Sequence, residues 1–151
     1  MTTHHETRQL PYSGQQVYDL VADVTGYAQF LPWVAGARVR SVTDRGDHQE
    51  MLADLIVSFK LFREKFGSRV LLYPDQLRID TSYIDGPFSH MESRWQFRDT
   101  DSGCEVSFDV DFAFRNKLLQ SAAGLFFHEA MRQIVQAFER RAADLYGTAI
   151  T

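Results

Sequence analysis

Groups able to do acid–base or metal chemistry are thinly spread along this 151-residue chain. His128-Glu129 has the opening of a zinc-binding helix motif, which needs a second histidine one turn on so that both rings reach one ion; Arg132 stands there instead. No metal site is expected. Asp99 and Asp101 read as a turn, and Asp109 and Asp111 as the outer face of a strand. The sequence has no phosphate-cradling glycine loop and no nucleophile elbow. Candidate polar anchors for a ligand are Tyr83, His90 and Arg94, with Ser93 and Thr81 behind them. His90, after Pro87-Phe88, reads as a loop histidine, and Arg94 as a solvated residue on a polar strand face. An enzyme needs acid or base groups inside its cavity, and the inward positions offer few beyond Tyr83 and Glu64. The expectation is a noncatalytic protein without a cofactor.

Composition points the same way. Twelve Phe, six Tyr and two Trp are a rich aromatic supply, suited to a core or to a cavity for a flat, greasy ligand. The formal charge is −4 and no Lys/Arg cluster dominates, so a DNA partner driven by counterion release is not expected. Cys104 is the only cysteine, which excludes an internal disulfide and suits a reducing compartment. The first residues lack an apolar signal core, and no run approaches the roughly 20 apolar residues of a membrane span. A bacterial cytoplasmic location follows as an expectation, with peripheral contact at the inner membrane as its variant. His4 and His5 read as part of a polar arm.

The elements that must position these residues can be read in order. Residues 3–10 suggest a first strand. Ser13-Gly-Gln-Gln16 reads as a capping box, followed by Val17, Leu20, Val21 and Val24 at helical spacing. Gly26 and Pro32 bracket a second short helix around Tyr27, Phe30 and Leu31. From Val34 the period becomes two. Six alternating runs follow, separated by Asp44–Asp47, Pro74-Asp75, Asp85–Pro87 and Asp99–Gly103, while the break near Phe59 to Phe62 has no Gly or Pro to mark it. Asn116 to Tyr146 is one long helix, capped by Asn116 and stopped by Gly147, with Phe127, Met131, Ile134, Phe138 and Leu145 on one stripe. Its first turns, from Leu118 and Leu119 to Phe126, are apolar nearly all round.

The order strand, two short helices, six strands, long helix predicts a single α+β domain over 1–151: a curved antiparallel sheet wrapped around the C-terminal helix. Alternation this clean means one wet face and one packed face. Space between a bent sheet and its helix is the natural place for a ligand.

Particular residues sharpen this. Val17-Tyr-Asp-Leu-Val-Ala-Asp-Val24, Tyr27-Ala-Gln-Phe-Leu-Pro-Trp33, Phe66-Gly-Ser-Arg-Val70, Gly86-Pro-Phe88, Trp95-Gln-Phe97 and the Phe138–Gly147 segment ending Leu-Tyr-Gly resemble, in order and spacing, the START-like (helix-grip) superfamily. Within it they resemble the coenzyme Q-binding and ribosome association toxin family, and the likeness covers nearly the whole chain. Val34 and Ala37 depart from it, where related proteins often carry Cys and Ser. The resemblance implies a helix-grip fold and a ubiquinone chaperone that supports respiration. Ubiquinone would then be a bound ligand and not a redox cofactor. A ribosome-binding toxin that blocks subunit association is the alternative, and an aromatase or cyclase the second alternative.

A prenylated quinone needs a long apolar sleeve. The inward faces nominate Leu55, Val57, Phe66, Val70, Ile79, Tyr83, Met91, Trp95, Phe97, Phe108 and Phe112, closed by Phe127, Met131 and Ile134. Any one of these alone reads more readily as core; the set reads as a sleeve. Phe30, Leu31 and Trp33, with Leu118, Leu119 and Phe126, form either an exposed patch at the pocket mouth that dips into a membrane or a small cluster packed on itself. For the ribosome alternative, Arg38, Arg40, Arg63, Lys65 and Arg69 are the outward basic candidates, interspersed with acids.

Overall fold

A computed structural model of the chain describes residues 2–59 and 62–147, and within them every side chain except those at positions 59, 62, 119 and 122–126. The elements run β1 (Thr2–Leu10), α1 (Gly14–Ala22), a 3-10 turn (Val24–Gln29), β2 (Val34–Asp44), β3 (Gln49–Phe59), β4 (Phe62–Tyr73), β5 (Arg78–Asp85), β6 (Phe88–Thr100), β7 (Gly103–Phe114) and α2 (Lys117–Tyr146). The expected break between β3 and β4 falls at 60–61, outside the described residues. Ser13 Oγ accepts the Gln16 N–H while Gln16 Oε1 accepts the Ser13 N–H, so the capping box starts α1 as its sequence predicts. The second short helix is a 3-10 turn, because Gly26 and Pro32 leave too short a run for α-helical bonding to propagate.

All seven strands form one antiparallel sheet in the order β1-β7-β6-β5-β4-β3-β2. Six hairpin-linked strands lie side by side, and β1 closes on the last of them. β1 and β2 are therefore the two edges, and α1 with its 3-10 turn carries the chain between them. With α2 laid over one face, this is the α+β helix-grip architecture the element order implies.

The inner face of the sheet is apolar and buried, with Met51, Val70, Ile79, Trp95, Phe108 and Phe112 among its members. α2 meets it through Phe127, against Phe112, and Phe138, against Trp95, and also buries Val135 and Ala142. Asn116 Oδ1 caps its start by accepting the Leu118 N–H at 2.8 Å, and Gly147, at φ 84°, ends it with an N–H bond to the Ala143 carbonyl. Leu145 departs from the expected stripe and is 51% exposed. The last turn docks instead through Tyr146, whose hydroxyl donates to the Gln16 carbonyl, while Tyr12 donates to the Gly147 carbonyl.

Two polar residues also differ from expectation. His4 is no free arm: it is a buried member of β1, its ring between Glu6 and His128 of α2. Asp54, on the outer face of β3, is buried because Arg40 and Arg38 fold over it from β2. The Arg40 hydrogen bonds, with burial opposing them, hold its carboxyl below the usual range. Arg40 also reaches Asp85, and Arg69 bonds Glu50. Much of the outward basic set is thus neutralised by neighbouring acids.

Candidate functional site

Sheet and helix do not close flush. Between them lies a cavity of about 510 Å³, in the range of small-molecule sites. Its floor comes from alternate residues of β3 to β7: Ala53, Leu55 and Val57; Phe66, Ser68 and Val70; Ile79 and Thr81; Phe88, Met91, Ser93 and Trp95; Phe108, Val110, Phe112 and Phe114. Phe127, Ala130, Met131, Ile134 and Phe138 of α2 form the roof. Val21, Val24, Tyr27 and the segment Leu31-Pro-Trp-Val34 close one side. The period of two aims every second strand residue inward, and the i, i+3, i+4 spacing on α2 does the same from above. Trp95 stacks on Phe108 with ring centroids 4.3 Å apart and meets Phe138 edge-on at 5.3 Å, so one end of the wall is aromatic.

Twelve of the fourteen sleeve residues nominated from sequence line this cavity: Leu55, Val57, Phe66, Val70, Ile79, Met91, Trp95, Phe108, Phe112, Phe127, Met131 and Ile134. Two do not. Phe97 lies one pair beyond Trp95, under α1, where it stacks on Trp95 and receives the edge of Tyr18; no space is left there. Tyr83 packs its ring edge-on against Phe88, which takes the wall position instead. Tyr83 keeps the register of Thr81, pairing with Ser68, and the shift at Gly67/Ser68 falls just beyond it, so the Phe88 ring and not a slip of the strand keeps Tyr83 from the wall.

Reasoning from sequence missed Ala53, Phe114 and Phe138, although their parity and helical spacing match chosen neighbours. It also missed Val21, Val24 and Tyr27, which only the packing of the α1 region brings to the wall. The mouth residues divide. Leu31 and Trp33 line the cavity, Leu31 being buried, and Trp33 holds a left-handed backbone at φ 66°. Phe30 packs edge-on against Tyr27 and Phe138 beneath the Arg141 guanidinium. Phe30 and Leu31 therefore belong to a packed cluster and not to an exposed patch, because their partners cover them. Leu118 is 81% exposed, and Leu119 and Phe126 lie outside the residues whose side chains are described.

Among the described residues the wall carries no carboxylate, imidazole or amine. Its polar groups are the hydroxyls of Ser68, Thr81 and Ser93, the Tyr27 phenol and the indoles of Trp33 and Trp95. Tyr27 is engaged, donating to the Val21 carbonyl, and burial, aided by Asp23, pushes its phenol well above the ordinary range. Arg94 is forked on Asp80 outside the sheet, and His90 and Glu64 are half-buried away from the wall. Glu129 pairs with Arg132 at 3.1 Å, and no cluster of metal-ligating side chains occurs among the described residues. No described helix is long and apolar enough to cross a membrane.

Residues 10–139 match the family model described as polyketide cyclase / dehydrase and lipid transport. The chain belongs to that family. Among family relatives, the ribosome association toxin RatA of Rickettsia prowazekii is 36% identical over 148 residues, covering 96% of this chain and 99% of the relative. A mitochondrial coenzyme Q-binding protein of Xenopus laevis is 34% identical over 149 residues, covering 95% of this chain and 59% of its own. The solution structure of the 18 kDa protein CC1736 from Caulobacter crescentus superposes with a TM-score of 0.82 at 34% identity, covering 98% of this chain and all of the other. An aromatase/cyclase from a Streptomyces species shares the fold at a TM-score of 0.80, with 93% of each chain covered and 17% identity.

Proposed function

We propose that this family member is a noncatalytic carrier that holds ubiquinone, or a similar prenylated aromatic compound, between sheet and helix and delivers it to membrane enzymes of respiration. The observation that carries this reading is the cavity itself: about 510 Å³ of space walled by aliphatic and aromatic side chains, with no charged group among its described residues. A volume of this size suits a substituted ring and a few isoprene units. Affinity would come mainly from burying hydrocarbon, at about 0.8 kcal/mol per CH₂. The family's lipid-transport description and the coenzyme Q-binding relative support the choice of ligand. Organic extraction of the purified protein, followed by titration with a short-tailed quinone, tests it. Finding no co-purified lipid and no saturable quinone binding would remove the reading.

A second reading, binding to ribosomal subunits, is favoured by the name and near full-length match of the Rickettsia relative. It requires a surface for RNA. Of the outward basic set, the exposed Arg63 and Lys65 would supply one, with Arg38 already paired to Asp54 at their side. Co-sedimentation with large subunits, measured across a salt series, separates the two readings.

A further inference from the structure

We propose that Ser68, Thr81 and Ser93 form an oxygen-recognition row that fixes the head of the bound ligand on the cavity floor; this rests on the carrier reading and assigns the polar part of its ligand. The three hydroxyls come from three adjacent strands, β4, β5 and β6. Thr81 is paired directly with Ser93. Thr81 faces Val70 on β4, and Ser68 lies two residues along the same face, so it is the diagonal neighbour of Thr81. Directly paired Cβ atoms on one face stand about 5 Å apart and diagonal ones about 7–8 Å. The row is thus of a size to meet two oxygens on one small ring.

All three side chains line the cavity, and Ser68 is only 8% exposed. No described residue hydrogen-bonds any of the three hydroxyls. Facing an apolar space, these hydroxyls keep their hydrogen-bonding capacity for whatever fills it, a capacity that valine or alanine at the same positions would lack. A ligand carrying carbonyl oxygens supplies the missing acceptors. Trp95, two residues from Ser93 on the same face, stands beside the row as an aromatic wall for the ring. The hydrocarbon part then runs along the aliphatic and aromatic remainder, with Met131 and Ile134 above it.

The experiment uses the full chain and two probes that share a decyl tail: a dimethoxy-methyl-benzoquinone and an oxygen-free alkylbenzene. The wild-type protein and the S68A/T81V/S93A variant are titrated with each, following the intrinsic Trp fluorescence. Loss of two or three hydrogen bonds predicts quinone binding about 10- to 100-fold weaker in the variant, with alkylbenzene binding unchanged. Equal affinities of wild type and variant for the quinone would overturn the row, as would equal weakening of both probes, which would indicate a change of cavity shape. Failure of the wild type to bind either probe would remove the carrier reading itself. If the triple variant does not fold, T81V and T81S decide the matter: the row requires T81S to bind the quinone like wild type and T81V to bind it more weakly.

Discussion

The Nδ1 atom of His4 lies 2.8 Å from Nδ1 of His128, tying the edge strand β1 to the roof helix α2. The other ring nitrogen of His4 is 3.0 Å from Glu6 Oε1. Because a carboxylate only accepts, Nε2 carries a hydrogen, and the contact between the two rings holds with a single proton between them. Burial pushes the Glu6 carboxyl up, but hydrogen bonds from His4 and Arg8 outweigh it and hold it below its ordinary value. Replacing His128 by Ala strands the buried His4 nitrogen, at an expected cost of about 1–2 kcal/mol in urea titration. The double variant His4→Phe, His128→Ala should recover part of that loss, since Glu6 keeps Arg8 at 2.6 Å. Equal midpoints for wild type and His128→Ala would mean that the tether does not stabilise the fold.

Asp54 makes stability depend on acidity. Its carboxyl is held low first by the hydrogen bonds from Arg40, against burial, and further by the charge of that guanidinium and by Arg38. A depressed carboxylate contributes stability fully above its unfolded pKa, about 3.9, and loses it as pH falls through the lower folded value. The gap in stability between wild type and Asp54→Asn should therefore stay level from neutrality to about pH 5 and narrow below about pH 4. A gap that widens on acidification would contradict the assignment.

Element order, the capping box and the inward parity of the strands were legible because each is a local rule with a period of two or 3.6. What sequence could not give was where the regular pattern stops applying. Phe97 continues the parity of Trp95, yet α1 covers it; Tyr83 continues that of Thr81, yet Phe88 takes its place on the wall. His4 looked like part of a polar arm because its partner lies 124 residues away on α2. Even the cavity was only implied: the same apolar residues could have packed flush, and the distance between two curved surfaces is no property of either alone.

Cys104 tests the burial of the sheet's far end. It is fully buried, and burial, with the charge of Asp99, pushes its thiol up to about 11. Since the thiolate is the reactive form, the native protein should not react with Ellman's reagent in mildly alkaline buffer, and one thiol should appear in guanidinium. Rapid reaction of the folded protein would place that strand end in a more open environment.

Filling the cavity separates an available space from a merely loose core. Ala130 projects from α2 onto the cavity roof beside Met131 and Ile134. Substituting Trp in a packed interior costs about 1–3 kcal/mol through displaced neighbours. In an empty apolar space it instead buries an indole, so the variant Ala130→Trp should melt no lower than wild type. The same indole occupies the volume a ligand would use, and quinone affinity should drop about tenfold or more, a loss of about 1.4 kcal/mol or greater. A variant that is markedly less stable would show that the roof has no room to give. A variant that is stable and binds quinone like wild type would place the ligand outside the space between sheet and helix, and the carrier reading would have to be given up.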